Sequence, residues 1–319
     1  MSDAKRDRLP SCAACSSSAS ADRITLQENG YDGYRCNDCG LIYVAPRPDP
    51  DTIVNLYDHD SAHVSASELI EGSRSFGKAL KARMTLGLVR SYMPRGELLE
   101  IGAGGGAFLR QAARCFRVHA AEFNPAQIEH MKSLGVDCRR GAFSQVFDGM
   151  RFDVIYHCDV LSHFVDPVAE FRAMRRMLSP GGVVVFETGN FGDVEQRHHH
   201  LVERWQYPDH LYFFSRRSLA NLAAAAGFEI EEVREYSRAI EMRLGNLLKS
   251  ARSAAKRSGA SSGARQRTLK SRLVALARNV KHAVDFVLIY WVGAILPKGG
   301  RPQTVIAVLR ASAQDTSLR

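Results

Sequence analysis

The chain predicts an α/β fold, a doubly wound parallel sheet of Rossmann-like build with a small metal-binding segment in front of it. Three observations carry that expectation. From Glu97 onward, apolar strand-like runs alternate with helical ones, the pattern of parallel strands joined by crossover helices. The first of those strands runs straight into the glycine-rich turn Gly102-Ala103-Gly104-Gly105-Gly106. Ahead of both, two Cys-x2-Cys pairs stand twenty residues apart.

Of 319 residues, 45% are hydrophobic, enough for a sizeable core. The polar amino terminus lacks a secretory h-region, so the expected location is the cytoplasm. The net charge of +9 is concentrated rather than spread, because residues Lys249 to Arg272 hold eight Lys and Arg and no Asp or Glu. The rest is close to neutral, which argues against a protein-wide basic face for nucleic acid. Seven cysteines in a reducing compartment do not suggest a disulfide framework.

Taken in order, Cys12, Cys15, Cys36 and Cys39 have the spacing at which two tight knuckles bring four thiolates to one tetrahedral Zn2+. Four protein ligands leave no open position, so the expected metal is structural. This is the zinc-binding segment, 1–50, whose Gly40–Val44 reads as a short strand stopped by Pro46, Pro48 and Pro50. Residues 51–95 read as a helical connector with Leu80, Met84, Leu88 and Tyr92 as its core stripe. The main domain is expected over 96–236 plus 301–311. Its strands are Leu98–Ile101, Val118–Glu122, Phe152–His157, Val183–Thr188, Glu229–Tyr236 and Thr304–Leu309. Its helices are Gly106–Cys115, Pro125–Leu134, Pro167–Leu178 capped by Asp166, and Arg216–Ala226 capped by Ser215. An insertion, 237–300, begins with the basic run, expected as a poorly ordered linker, and ends in the apolar Ala283–Pro297. That last stretch is too short to span a bilayer, so packing on the core is the default, with weak membrane-surface contact through 249–297 as the second reading.

Gly102-x-Gly104-x-x-Ala107 alone fits a dinucleotide fingerprint as well as other nucleosides. Glu100, at the end of the strand, gives a pyrophosphate nothing but can attract the cationic groups of S-adenosylmethionine. Glu122, 22 residues on, ends the second strand where a carboxylate can accept both ribose hydroxyls.

With Phe152 to Pro167 and Met177-Leu178-Ser179-Pro180-Gly181-Gly182, the segment Glu100-x-Gly102-x-Gly104-x-Gly106 resembles the motifs of class I S-adenosylmethionine-dependent methyltransferases, in order and spacing, over about Glu97 to Tyr236. That resemblance implies a seven-stranded, mostly parallel sheet with an antiparallel final strand, Thr304–Leu309. It also implies contacts: Gly102, Gly104 and Gly106 on the methionine side of the cofactor, Glu122 on its ribose, and Phe123 and Asn124 at its adenine edge. Ala142 and Phe143 would close the base pocket, and His157 and Cys158 would lie under the sulfonium. Cys36-x2-Cys39-Gly40-Leu41-Ile42-Tyr43 with Pro46-Arg47-Pro48 is similar to the zinc-knuckle segment of a group of these enzymes associated with sugar and polysaccharide biosynthesis. That group includes deoxysugar C-methyltransferases, whose longer carboxy-terminal domain finds no counterpart in this sequence. The expected acceptor is therefore a hydroxyl of a small sugar-like molecule, with sugar C-methylation and, further back, RNA binding as alternatives.

Methyl transfer to a hydroxyl gains from a base near neutral pH, a role suited to histidine. His163, after the fourth strand, and His210, in Tyr207-Pro208-Asp209-His210-Leu211-Tyr212-Phe213, are the candidates, with His210 favoured for its aromatic neighbours. His198-His199-His200 reads as a solvated or acceptor-facing loop, since three adjacent histidines do not easily face one ion.

Overall fold

Alternation along the strands builds the core. Leu98, Val154, Tyr156, Val183, Val185, Ile306 and Val308 point to one face of a sheet, and Leu99, Ile101, Ile155, Val184, Phe186, Val305 and Ala307 to the other. Both faces are covered, so the strands read as continuous apolar runs, and each fully buried side chain contributes about 1.5–3 kcal/mol. The computed structural model describes residues 11–18, 21–49, 52, 66–202, 206–256 and 266–313, with the backbone alone at 25–27, 248–256 and 266–275.

The main sheet has seven strands. They are β4 (Gly96–Ile101), β5 (Phe116–Glu122), β6 (Asp137–Arg140), β7 (Phe152–Cys158), β8 (Leu178–Gly189), β10 (Phe228–Ser237) and β11 (Gln303–Ala311). Their order is β10-β11-β8-β7-β4-β5-β6, parallel except where β11 runs against both β8 and β10. The expected seven-stranded sheet with an antiparallel last strand is thus present. β6 is an edge strand that the periodicity missed, because Cys138 is its one buried residue.

Helices cross between the strands: α1 (Ala66–Gly72), α2 (Phe76–Tyr92), α3 (Leu109–Ala112), α4 (Pro125–Ser133), α5 (Phe143–Val146), α6 (Pro167–Met177) and α7 (Arg216–Ala225). Their starts follow local chemistry. Asn124 Oδ1 caps Ala126 and Gln127, Asp166 accepts from Ala169 N–H, and Ser215 forms a capping box with Ser218. The helix expected over Gly106–Cys115 shrinks to α3, because Gly106 sits at φ 72° and the chain must turn again before β5 opens at Phe116. The connector is helical in α1 and α2, and its residues 53–65 lie outside the described residues.

A second, antiparallel sheet of order β1-β2-β3-β9 forms in front of the first. It consists of β1 (Ala21–Glu28), β2 (Tyr31–Cys36), β3 (Ile42–Ala45) and β9 (Tyr212–Phe213), the last supplied by the main domain. In the insertion, the basic run expected as an unstructured linker carries helix on both sides of 257–265, which lie outside the described residues. These are α8 (Ala239–Lys256) and α9 (Gln266–Phe286). In those two flanks Ala, Leu, Lys and Arg, strong helix formers, predominate, whereas both glycines of the run lie within 257–265. A wide π-helical turn, Val287–Val292, and the short α10 (Gly293–Ile295) continue the rod. Among the described residues no helix is long and apolar enough to cross a membrane.

Candidate active site

The site lies at the carboxyl ends of β4, β5, β7 and β8, where open parallel sheets bind their ligands. The glycine turn leaves β4 with Gly102 N–H donating to Ala121 O at 2.9 Å, which pins it to the neighbouring strand. Gly104 has φ 54° and open space where a Cβ would stand, so its backbone is free to meet a ligand closely. At Gly105 the demand is opposite: a Cβ would come 2.2 Å from Leu69 O, because α1 lies directly on the turn. Arg110 ties the two together through Gly105 O at 3.1 Å and Ser73 O at 2.7 Å.

Glu122 is buried and gathers the turn's amides. Its Oε1 accepts from Phe123 N–H at 2.7 Å and Asn124 N–H at 3.2 Å, and its Oε2 from Gly104 N–H at 3.4 Å. Burial still holds its carboxyl above the usual range. Glu100 is buried too, and its Oε2 has no hydrogen-bond partner. Burial, with the neighbouring Glu122 charge, pushes its carboxyl well above the carboxylate range, while Lys81 pulls the other way. Two buried carboxylates with an unpartnered oxygen form a place where a cationic group relieves repulsion, and this suits the ammonium and sulfonium of S-adenosylmethionine. Phe123 is exposed beside the turn, Asn124 spends its Oδ1 on the helix cap, and Phe143 is buried at the start of α5 behind Ala142.

At the end of β7, His157 and Cys158 point to opposite faces. His157 is fully buried among Phe164, Phe171 and Phe186, stacked on the last at 5.3 Å, and neither ring nitrogen has a partner. Burial depresses it to about 3, so it is neutral at neutral pH. Its ring has no exposed surface and packs among these three aromatics. Cys158 instead accepts from Lys81 Nζ at 3.2 Å, and Lys81 also pairs with Glu187 Oε1 at 2.7 Å. Tyr290 OH donates to the same oxygen at 3.0 Å, bringing the insertion to the site. Burial opposes the Lys81 charge, but Cys158, Glu187 and the tyrosines keep it ionised. Asp159 follows at φ 56°; against desolvation, Lys81, Arg238, Lys78 and His210 keep it below its ordinary range.

The opposite wall comes from the turn after β7 and the loop before β9. Val160 packs on the glycine turn, its Cγ2 2.7 Å from where a Gly102 Cβ would stand. Three residues on, His163 Nδ1 donates to Asp209 O at 2.8 Å and faces Asp209 Oδ1 at 3.1 Å. Its ring meets His210 edge-on at 4.7 Å. Burial would lower His163, but the Asp209 carboxylate raises it above the ordinary histidine value. The sequence singled out both histidines; the structure gives the orienting carboxylate to His163, whereas His210 packs its ring on Phe213. Lys81, Asp159, Glu187 and Tyr290 escaped the sequence reading. Glu187 alone left a signal, a carboxylate inside the apolar run of β8. His199, in the short 3-10 helix Gln196–Leu201, donates from Nε2 to Val194 O at 3.1 Å, so this member of the histidine run is tied to backbone.

Cys12, Cys15, Cys36 and Cys39 converge, their sulfurs all within 4.8 Å of one another. Cys12 and Cys39 are 3.5 Å apart and Cys15 and Cys36 3.7 Å, against about 3.8 Å between sulfurs on a tetrahedral ion with 2.3 Å bonds. The knuckle segment braces the loop before β9 and the start of α7. Ser215 Oγ donates to Cys39 O at 2.6 Å, β3 pairs with β9, Arg35 reaches Gly192 O, and Asn29 Nδ2 donates to Tyr207 O at 2.7 Å. A cavity of about 530 Å³ beside the knuckles, lined by Arg35, Asp38, Gly192, Asp193 and Arg217 among others, shares no residue with the glycine turn.

Residues 75–233 match the methyltransferase-domain family. The ubiquinone biosynthesis O-methyltransferase of Cereibacter sphaeroides (strain KD131) is 36% identical over 101 residues, which cover 29% of this chain and 41% of that protein. The enzyme of the same name from Neisseria meningitidis serogroup C is 26% identical over 163 residues, 43% of this chain and 65% of that one. The chain thus spans about two fifths of the first of these relatives. Among solved structures, coclaurine N-methyltransferase bound to N-methylheliamine and SAH superposes with a TM-score of 0.45 at 13% identity, covering 72% of this chain and 70% of that one. Residues 75–233 thus belong to the methyltransferase-domain family, carried on a seven-stranded sheet with one antiparallel strand.

Proposed function

We propose that this protein transfers a methyl group to a hydroxyl of a small, polar acceptor, with His163 as the general base. The observation that carries this reading is the His163–Asp209 pair, three residues from the Val160 that packs on the glycine turn. S-adenosylmethionine, when bound, supplies a methyl group already activated by its sulfonium. The chain's own task is then placement: an acceptor oxygen on the methyl axis, with its proton taken as the bond forms. Donation from Nδ1 to Asp209 fixes the His163 tautomer in which Nε2 carries the acceptor lone pair, and the carboxylate stabilises the imidazolium that results. His210, edge-on to that ring, lines the acceptor side and limits its motion.

On the cofactor side, Gly102, Gly104 and Gly106 give backbone access to the methionine portion, and Glu100 draws the ammonium. Glu122 holds the turn and has acceptor capacity left for the ribose hydroxyls. Phe123, Asn124, Ala142 and Phe143 would hold the base, and Cys158 would line the methyl-donor end. The four knuckle cysteines hold a structural Zn2+, a thiolate site suited to the reducing cytoplasm where we place the enzyme.

An oxygen acceptor also accords with the names of the relatives matched. The charged cleft of Lys81, Asp159, Asp209 and Arg238 and the knuckle segment's resemblance favour a hydroxylated, sugar-like acceptor. The test is a labelled-methyl assay with purified protein on extracts fractionated into nucleotide sugars, glycans, lipids and RNA. Label in an alkali-stable ether on a small hydroxylated product is expected. Label on carbon, or in RNA, would overturn the reading.

A further inference from the structure

The helical rod of the insertion carries an exposed apolar stripe for which the fold gives no partner among the described residues. Leu276, Val280, Val284, Val287, Trp291 and Ile295 recur at intervals of four, four, three, four and four, and every one is exposed, Trp291 at 67% and Ile295 at 84%. That periodicity places them on one side of the rod, the wide turn at 287–292 offsetting the drift of the helical repeat. The opposite side is committed to the core. His282 Nδ1 meets Ser75 Oγ at 2.6 Å, Phe286 and Tyr290 are buried, and Gly293 rests on Ser237, where a Cβ would stand 2.4 Å from the backbone oxygen. The stripe is therefore not a helix waiting to pack on its own core.

We infer that this stripe docks on an anionic lipid surface. Charge selects that occupant. The rod is preceded by, and partly built from, the run Lys249 to Arg272, eight cations without a single carboxylate, while Lys281 and Asp285 among the stripe's own residues pair with each other. Such a combination of apolar face, indole and cations is what rests in the headgroup layer of an anionic membrane. It is a surface contact, because no described helix can cross a bilayer. The same turn faces two ways: Tyr290 reaches inward to Glu187 in the cleft, and Trp291 points outward. Docking through Trp291 would thus hold the cleft about one helix diameter, roughly 10 Å, from the lipid.

The test is co-sedimentation of the full chain with phosphatidylcholine vesicles, with and without equal phosphatidylglycerol, from 50 to 500 mM salt. Binding is expected to the anionic vesicles and not the neutral ones, and it should weaken as salt rises, since each cation near an anionic surface favours partitioning by about fivefold. The double variant Trp291→Asp, Ile295→Asp should bind more than tenfold less while its melting temperature and cofactor affinity stay as in the parent. With Trp205→Phe, leaving Trp291 as the sole indole, emission should shift to the blue on the anionic vesicles. Failure of the parent chain to bind anionic vesicles at 50 mM salt would overturn the inference. So would equal binding by the double variant, or light scattering that shows a parent dimer and a variant monomer, which would make the stripe a face between two copies.

Discussion

The two walls of the cleft are built in different ways. The cofactor wall, Glu100 to Asn124, is held by neighbours in the sheet: Glu100 pairs with Ala120, Ile101 with Ala121, and Glu122 gathers the amides of the turn. The acceptor wall, His163 with residues 206–215, is held from far along the chain. Glu28 accepts from Gln206 N–H at 3.1 Å and Asn29 bonds Tyr207, each 178 positions away, while Ser215 bonds Cys39 across 176. The first wall is thus a product of the sheet, and the second depends on whether a remote cysteine module is in place. The proposed chemistry divides in the same way: binding on one wall, proton transfer on the other.

The largest effect should come from the acceptor wall. His163→Ala is expected to lower turnover on the acceptor by roughly 10²–10⁴-fold while calorimetry shows unchanged cofactor affinity. His210→Ala, which removes a ring contact but leaves the Asp209 pair intact, should cost much less. The reverse ranking would return the base role to His210. Because Asp209 raises His163, the neutral form that can accept a proton accumulates only above the ordinary histidine value. kcat/KM should therefore rise with pH through that raised midpoint, and Asp209→Asn should move the midpoint down. In folding terms the sign is opposite: a raised folded value makes His163 stabilise the fold below about pH 6.5, a contribution lost as pH rises through the folded value.

Metal removal should separate the walls most directly. Chelation, or Cys36→Ser, frees the module that positions 206–215, and a displacement of about 1 Å at a reacting group can cost on the order of 10²-fold. Turnover should fall by about that factor while cofactor affinity stays within about twofold. Equal loss of both would mean that the module supports the whole domain and that the contrast between the walls is wrong.

The same contrast explains what the sequence made legible. Glycines, capping residues and apolar alternation act within a few residues, so the glycine turn, Glu100, Glu122, the Asp166 and Ser215 caps and most strands of the main sheet could be read directly. β1 and β2 could not, since their stability comes from pairing with each other and with β3 and not from an apolar run. β9 is two residues long and exists because β3 lies beside it. Lys81 reads as one more surface lysine until α2 crosses the sheet edge and sets it 2.7 Å from Glu187. Asp209 is the sequence neighbour of His210; only the fold brings His163, 46 positions earlier, to it.

On the cofactor wall, Glu122→Gln keeps the shape but replaces charge-assisted hydrogen bonds, each worth about 1.5–3 kcal/mol, with neutral ones. Cofactor affinity should fall about tenfold or more in calorimetry, with little change in melting temperature. Equal affinity would remove Glu122 from the ribose role and leave it as a brace of the turn.

The smallest effect sits at the seam of the walls. His157 ends β7, beside the strand that feeds the glycine turn, and its ring packs on Phe164 of the acceptor turn. Its folded value is depressed to about 3, against about 6.5 in an unfolded chain, so the unfolded state binds its proton first as pH falls. Stability from this residue is fully present above pH 6.5 and lost below it. At about 1.4 kcal/mol per pH unit, moving from pH 7 to pH 5 should cost about 2 kcal/mol. His157→Phe fits a site already made of Phe164, Phe171 and Phe186 and removes two buried, unpartnered nitrogens. Denaturant unfolding at the two pH values should therefore show the variant at least as stable as the parent at pH 7 and about 2 kcal/mol less sensitive to acid. If His157 instead served the cofactor, the variant would lose cofactor affinity at pH 7. The seam would then belong to the binding wall.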